Sequence, residues 1–172
     1  DMQPGVFGGA VDKPNMVRAK ILAQTNDKGG RIKIPGVYDD FRELQPEERE
    51  QWKRLPFNER RYAKELGAPK LFGESGYSTL ERVWARPTFE VNGLLSGFTG
   101  DGAKTVIPAV AMAKVSMRLV PNQDPDKIAQ LFEDYVKKVA PKTVEVKVTR
   151  MHGGKPWMTD FDNKFVQAAG RA

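Results

Sequence analysis

Gly97-Phe98-Thr99-Gly100-Asp101-Gly102-Ala103-Lys104-Thr105 has the residue types of a phosphate cradle, with glycines, a lysine and a hydroxyl in close order. The spacing does not fit. A phosphate loop places Lys directly after its second Gly, and here Ala103 intervenes. Such a loop must also open into a helix, whose N-terminus holds the anion. This one runs through Pro108 into alternating residues. Other chemistry is scarce. His152 is the only histidine and there are no cysteines, so two-His metal sites, thiolate chemistry and disulfides are all excluded. His152 lies beside Gly153-Gly154 and reads as a turn or hinge residue. The carboxylate pairs Asp39-Asp40 and Asp124/Asp126 each precede an expected helix, where capping accounts for them better than acid–base work.

What remains is a loop joined to a rigid strand, a common setting for functional side chains. From Ala109 to Leu119 every odd position is Ala, Val, Met or Leu, whereas Lys114, Ser116 and Arg118 take even positions. That period of two predicts a strand with one buried face, ending at Pro121. Pro87-Thr88-Phe89-Glu90-Val91 reads as a short strand before the loop. After it, Asp124-Pro125-Asp126 opens an amphipathic helix that presents Ile128, Leu131, Phe132, Tyr135, Val136 and Val139 on one face and stops at Pro141. Thr143 to Val148 alternates as a further strand, solvated on its second face.

The N-terminal part is less regular. Gly5, Gly8 and Gly9 break any long element, with a first strand expected to be missing or cut short near Asp1. A helix capped by Asp12, with Pro14 in its first turn, should run to about Asn26. Residues 31–84 are highly charged and rich in proline. Helix starts are expected at Pro46-Glu47-Glu48, after Asn58 and at the capping box of Ser78 and Glu81. None of these pieces is long enough to fold alone, and the stretch reads as an insertion. A last helical pattern from Asp160 reaches Ala172 without a stop, as in a segment cut from a longer chain.

Without the insertion, the order is helix, strand, strand, helix, strand. The expected fold class is α+β: a ferredoxin-like two-layer sandwich, with two helices on one face of a small antiparallel sheet, plus a helical and loop insertion. At 172 residues the chain fits one domain. No apolar run approaches the ~20 residues of a membrane span. The net charge of +6 is spread out and interleaved with acids, so no nucleic-acid partner is expected. The absence of cysteine is compatible with any compartment.

The stretches GVFGGAVDKP, GRIKIPGVYDD, ERVWARPTFEVNGLLSG, GDGAKTVIPAVAMAKVSMRLVPNQDP and HGGKPW together resemble the zinc metallopeptidases that include carnosinase-type dipeptidases, aminoacylase, glutamate carboxypeptidase and succinyl-diaminopimelate desuccinylase. The resemblance covers the inserted lid, or dimerisation, domain of that family. It implies a domain over residues 1–158, an insertion at about 31–84, and in 159–172 the start of a helix returning to a catalytic domain elsewhere. No cofactor is expected within this segment; two zinc ions are expected in the parent's catalytic domain. The implied partners are a second copy of the chain and a dipeptide or N-acyl amino acid.

Three residues match substrate-binding positions in the resemblance: Thr105 in the loop, Arg118 on the following strand, and Gln3. Fully extended, the run from Thr105 to Arg118 spans roughly 40 Å at ~3.3 Å per residue. One dipeptide cannot touch both, so either the chain folds back or the two residues serve different active sites. The resemblance implies the second: Arg118 clamps a substrate carboxylate in its own subunit and Thr105 reaches into the partner's site. The alternative for Arg118 is a solvated charge on a strand face. Family members commonly carry His where Gln3 stands. Gln donates a neutral hydrogen bond but cannot become cationic, so the parent uses a weaker variant of this contact or the start of the segment has been altered. The rival reading of the whole chain is a free-standing ferredoxin-like module that binds nucleic acid or protein.

Overall fold

The computed structural model describes residues 2–160 and 162–171. Its organising element is the amphipathic helix after the long strand. Asp124 caps it by accepting from the backbone N–H groups of Asp126 (3.0 Å) and Lys127 (2.9 Å), leaving Pro125, which has no N–H to satisfy, in the first turn. Helix Pro125–Val139 divides the core in two. Ile128 packs with Ile32, Ile34 and Val37, joined by Phe89 and Met117 of the sheet and by Leu119 just after it. Val136 packs with Val17 and Ile21, joined by Val144, Val146 and Val148. Every apolar position expected on the helix face lies in one cluster or the other.

In chain order the elements are α1 (Pro4–Phe7), α2 (Pro14–Ala23), α3 (Pro46–Lys53), α4 (Glu59–Glu65), α5 (Thr79–Trp84), β1 (Thr88–Leu95), β2 (Met112–Arg118), α6 (Pro125–Val139) and α7 (Lys164–Ala169). The two strands form an antiparallel sheet, from Thr88 opposite Arg118 to Leu95 opposite Met112. The fold class is α+β, as expected. β1 runs four residues beyond the predicted Val91 because a bulge at Asn92 absorbs one residue and pairing resumes at Gly93. Asn-Gly is ordinarily a turn signal, so sequence reading stopped there.

Three local expectations are corrected. Thr143 to Val148 keeps its alternation, with the valines turned to the core, but makes no ladder with either strand among the described residues. The period-two pattern reports a buried face, and packing on α2 and α6 supplies that face without a strand neighbour. Lys13, not Asp12, precedes α2; the Asp12 carboxylate instead accepts from the Thr143 hydroxyl, tying the two segments together. Asp40 caps nothing but pairs with Lys127 on α6. Near the N-terminus, Met2 forms an isolated antiparallel bridge with Ile107, while Asp1 lies outside the described residues. Asn163 caps α7, its side chain accepting from Phe165 N–H, and Gly170 is the C-cap, while Ala172 lies outside the described residues.

The charged stretch folds as its caps predict. Asn58 accepts from Arg61 N–H, and Ser78 and Glu81 form a reciprocal capping box. Its opening residues, Ile32, Ile34 and Val37, are among the most buried in the protein, so the stretch is anchored directly on α6.

Gln123 lies 3% exposed just after β2. Its side-chain oxygen accepts from Val120 N–H at 2.9 Å, and its amide nitrogen donates to Val37 O at 2.7 Å. This joins the end of β2 to the 32–38 segment, with Asn122 at φ 72° making the turn between them. Gln123→Ala strands one donor and one acceptor, and a loss of about 2–3 kcal/mol is expected in a denaturant titration. An unchanged midpoint would show that water replaces both bonds.

Candidate functional site

The pairing register decides which side chains share a face. Phe89 and Met117, directly opposite one another, turn inward to α6; the Phe89 and Phe132 rings lie 5.8 Å apart. Their neighbours therefore turn outward. On β2 these are Met112, Lys114, Ser116 and Arg118, and on β1 Thr88 and Glu90, with Leu95 joining after the bulge. Apart from the half-buried Thr88, all of these are exposed. Glu90 faces Ser116 and stands diagonal to both Lys114 and Arg118, the only carboxylate of the ladder on this face.

Arg118 closes one end of the ladder. Its side chain is exposed and makes no hydrogen bond or ion pair among the described residues, so a guanidinium with all its donors is presented to whatever approaches. The segment 96–111 leaves from the other end, about 20 Å away at ~3.3 Å per residue. Within it Gly97 (φ 75°) and Gly102 (φ 84°) adopt left-handed backbone, and the Phe98 ring lies where a side chain on Gly100 would have to be. Lys104 sits over that ring, its Nζ 5.6 Å from the centroid. Thr105 follows, exposed, just ahead of the buried anchor Ile107.

Ile107 also fixes the position of Gln3. The Met2–Ile107 bridge has both of its hydrogen bonds, at 3.0 and 2.8 Å, and its antiparallel direction carries Gln3 toward Thr105. Gln3 precedes α1 with its backbone oxygen accepting from Val6 and Phe7, leaving its exposed side chain outside the cap. The three candidates thus divide into two groups: Gln3 with Thr105 at the loop, and Arg118 at the far end of β2.

Sequence reading missed Arg18. Its Nη1 donates to Leu95 O (3.2 Å) and Met112 O (2.9 Å), across the point where the ladder opens into the loop. No local pattern signals this, because both partners are backbone carbonyls far along the chain. It also missed the cluster around Arg86, which is 3% exposed. Arg86 donates to both oxygens of Glu74 (2.7 and 2.6 Å) between the rings of Phe41 and Tyr77. Two cavities, of about 900 and 310 Å³, lie in the 43–84 stretch and are lined by none of the three candidate residues. Among the described residues, no three His, Asp or Glu side chains gather as a metal ion requires.

Comparison with known proteins agrees with this architecture. The family model of the peptidase dimerisation domain matches residues 1–144. A Cys-Gly metallodipeptidase of Schizosaccharomyces pombe is 31% identical over 166 residues, which is 95% of this chain and 35% of that protein. The structure of human carnosine dipeptidase 1 superposes with a TM-score of 0.85 at 26% identity, covering 99% of this chain and 37% of that one. An M20 family metallo-carboxypeptidase from Sulfolobus solfataricus gives a TM-score of 0.79 at 33% identity, covering 98% of this chain and 43% of that one. The chain spans about a third of the length of the curated relatives it matches. These similarities give no support to a free-standing nucleic-acid or protein-binding module.

Proposed function

The chain belongs to the peptidase dimerisation domain family, and on that premise we propose that it is the lid and dimerisation domain of a homodimeric metallopeptidase hydrolysing dipeptides or N-acyl amino acids. The observation that carries this reading is the open outer face of the sheet. It has an unpartnered Arg118 at one end, and the Thr105 segment departs from the other.

On this reading Arg118 binds the substrate carboxylate in its own subunit, through a bidentate pair that also fixes orientation. Thr105, with Gln3 beside it, reaches into the partner's site. Gln3 offers a neutral donor to the substrate carbonyl, a weaker partner for developing negative charge than a cationic side chain. The metal use implied by the relatives' names, proposed here as two zinc ions, belongs to a catalytic domain outside residues 1–158. When bound, the metal supplies an activated water for hydrolysis. The lid's own task is to hold the substrate's ends and complete the site across the dimer.

The physical basis for the dimer is the exposed apolar group at the loop end of the sheet. Leu94, Leu95, Val110 and Met112 are all exposed there, with Val91 exposed further along β1, and among the described residues the outer edge of β1 has no strand neighbour. Pairing two such edges about a two-fold axis would bury both. Light scattering on the isolated segment tests this: a dimer whose mass does not change between low and high salt is expected, since apolar contact is not screened. A strict monomer at high concentration would sink the claim that this segment carries the dimer contact, and with it the trans role of Thr105.

A further inference from the structure

Arg18 is held by its own helix before it holds anything else. Val17 and Ile21 on either side of it are buried against Val136 of α6, so the base of the side chain is set by the core. Its guanidinium joins Leu95, the last residue of β1, to Met112, the first of β2. A guanidinium stays charged at any working pH, and hydrogen bonds from it are stronger than neutral ones. Just beyond this clamp, Ser96 Oγ donates to Val110 O. The next anchor is the Met2–Ile107 bridge. Residues 97–106 hang between these fastenings. The whole of 96–111 exceeds the ~12–15 residues beyond which a loop without secondary structure is uncommon and usually functional.

We infer that Arg18 is a positioning residue for Thr105: by closing the mouth of the 96–111 loop it fixes where the Thr105 hydroxyl meets substrate. The inference rests on the proposed role of Thr105 as a substrate contact. Arg18 itself touches neither substrate nor reacting atoms. Without it the β1–β2 ladder and the Ile107 anchor remain, so the fold is expected to survive, while the last ladder pair, Leu95 and Met112, loses its tie to α2 and the loop it leads into is free to shift. A displacement of about 1 Å in a positioning group can cost on the order of 10²-fold in rate.

The test is a double-mutant cycle in the full-length enzyme, with wild type, Arg18→Met, Thr105→Ala and the double variant assayed for kcat/KM beside dimer mass and Tm. Arg18→Met is expected to lower kcat/KM about tenfold with dimer mass kept, and to have no further effect once Thr105 is Ala, as coupled residues behave. Arg18→Lys, which keeps the charge and a donor for these carbonyls on a slightly shorter side chain, is expected to recover part of the loss. An equal loss in both backgrounds would make Arg18 merely structural and overturn the inference, as would an Arg18→Met enzyme with wild-type kinetics. A Thr105→Ala enzyme with wild-type kinetics would instead remove the reading beneath it, a distinct outcome. If Arg18→Met does not fold, Arg18→Lys and Arg18→Gln carry the same cycle.

Discussion

Replacing Arg118 with Ala in the full-length protein is expected, on the role proposed for it, to lower kcat/KM about 10²- to 10³-fold, the factor that corresponds to losing one partner of a desolvated charge pair. Stability should not follow, because Arg118 is exposed and makes no ion pair or hydrogen bond among the described residues. Surface substitutions of this kind usually change stability by no more than about 0.5 kcal/mol. Arg118→Lys keeps the charge but loses the planar fork, so only part of the activity should return. A substrate whose terminal carboxylate is replaced by an amide gives the sharpest check. It should be turned over equally by wild type and Arg118→Ala, because the group Arg118 is proposed to recognise is gone. Equal activity of the two enzymes on the carboxylate substrate would return Arg118 to a solvated charge on a strand face.

The second large effect falls on stability. Arg86 is enclosed by the rings of Tyr38, Phe41 and Tyr77, with Cζ 4.9, 4.5 and 4.3 Å from their centroids. Glu74 pairs with it and with Arg31. Glu74→Gln leaves the Arg86 charge buried without its counter-ion, and a loss of about 3–5 kcal/mol is expected. For a chain of this size that lowers Tm by roughly 10 °C, measured calorimetrically. The double variant Glu74→Gln/Arg86→Met should recover much of the loss, because removing both charges also removes the desolvation penalty. A Glu74→Gln protein as stable as wild type would mean that the aromatic enclosure alone holds Arg86.

The same pair gives stability a pH dependence whose sign is fixed. Burial by itself would raise the Glu74 carboxyl, but hydrogen bonds from Arg86 and Arg31 outweigh it and hold the group below the usual glutamate range. Its contribution is therefore complete above the unfolded-state value and is lost as pH falls through the lower folded value. Wild type should lose stability across that acidic window, and Glu74→Gln should lose less. Parallel acid profiles for the two proteins would exclude Glu74 as the group responsible.

Local patterns were legible where the partners are near in sequence. Asn58 caps α4 through a residue three positions on, and Ser78 and Glu81 reciprocate over the same distance, so spacing alone identifies them. The face of α6 was legible because residues three and four apart on a helix must share a side. Alternation along β2 placed Arg118 opposite the buried face, and it is exposed there. Five stretches together, with residues 100–125 the longest of them, carried the family, and the family match agrees. Alternation over Thr143 to Val148 was also real, but it reports which side is buried and is silent on whether a ladder exists.

Partners distant in sequence were not legible. Arg18 bonds to carbonyls 77 and 94 residues away, and Gln123 to one 86 residues away. Backbone carbonyls occur at every position, so nothing in the residue types marks these as the ones chosen. The enclosure of Arg86 draws on residues 38, 41, 74 and 77, each ordinary in its own stretch. Sequence by itself determined α6 with its cap and apolar face, the caps of α4 and α5, and the family, because these depend on spacing within a few residues. The tertiary structure alone decided that Met2 bridges Ile107, which sets Gln3 at the loop with Thr105, and that Arg18 ties the last pair of the ladder to α2. That choice is made by chain closure and core packing, which depend on the whole chain at once.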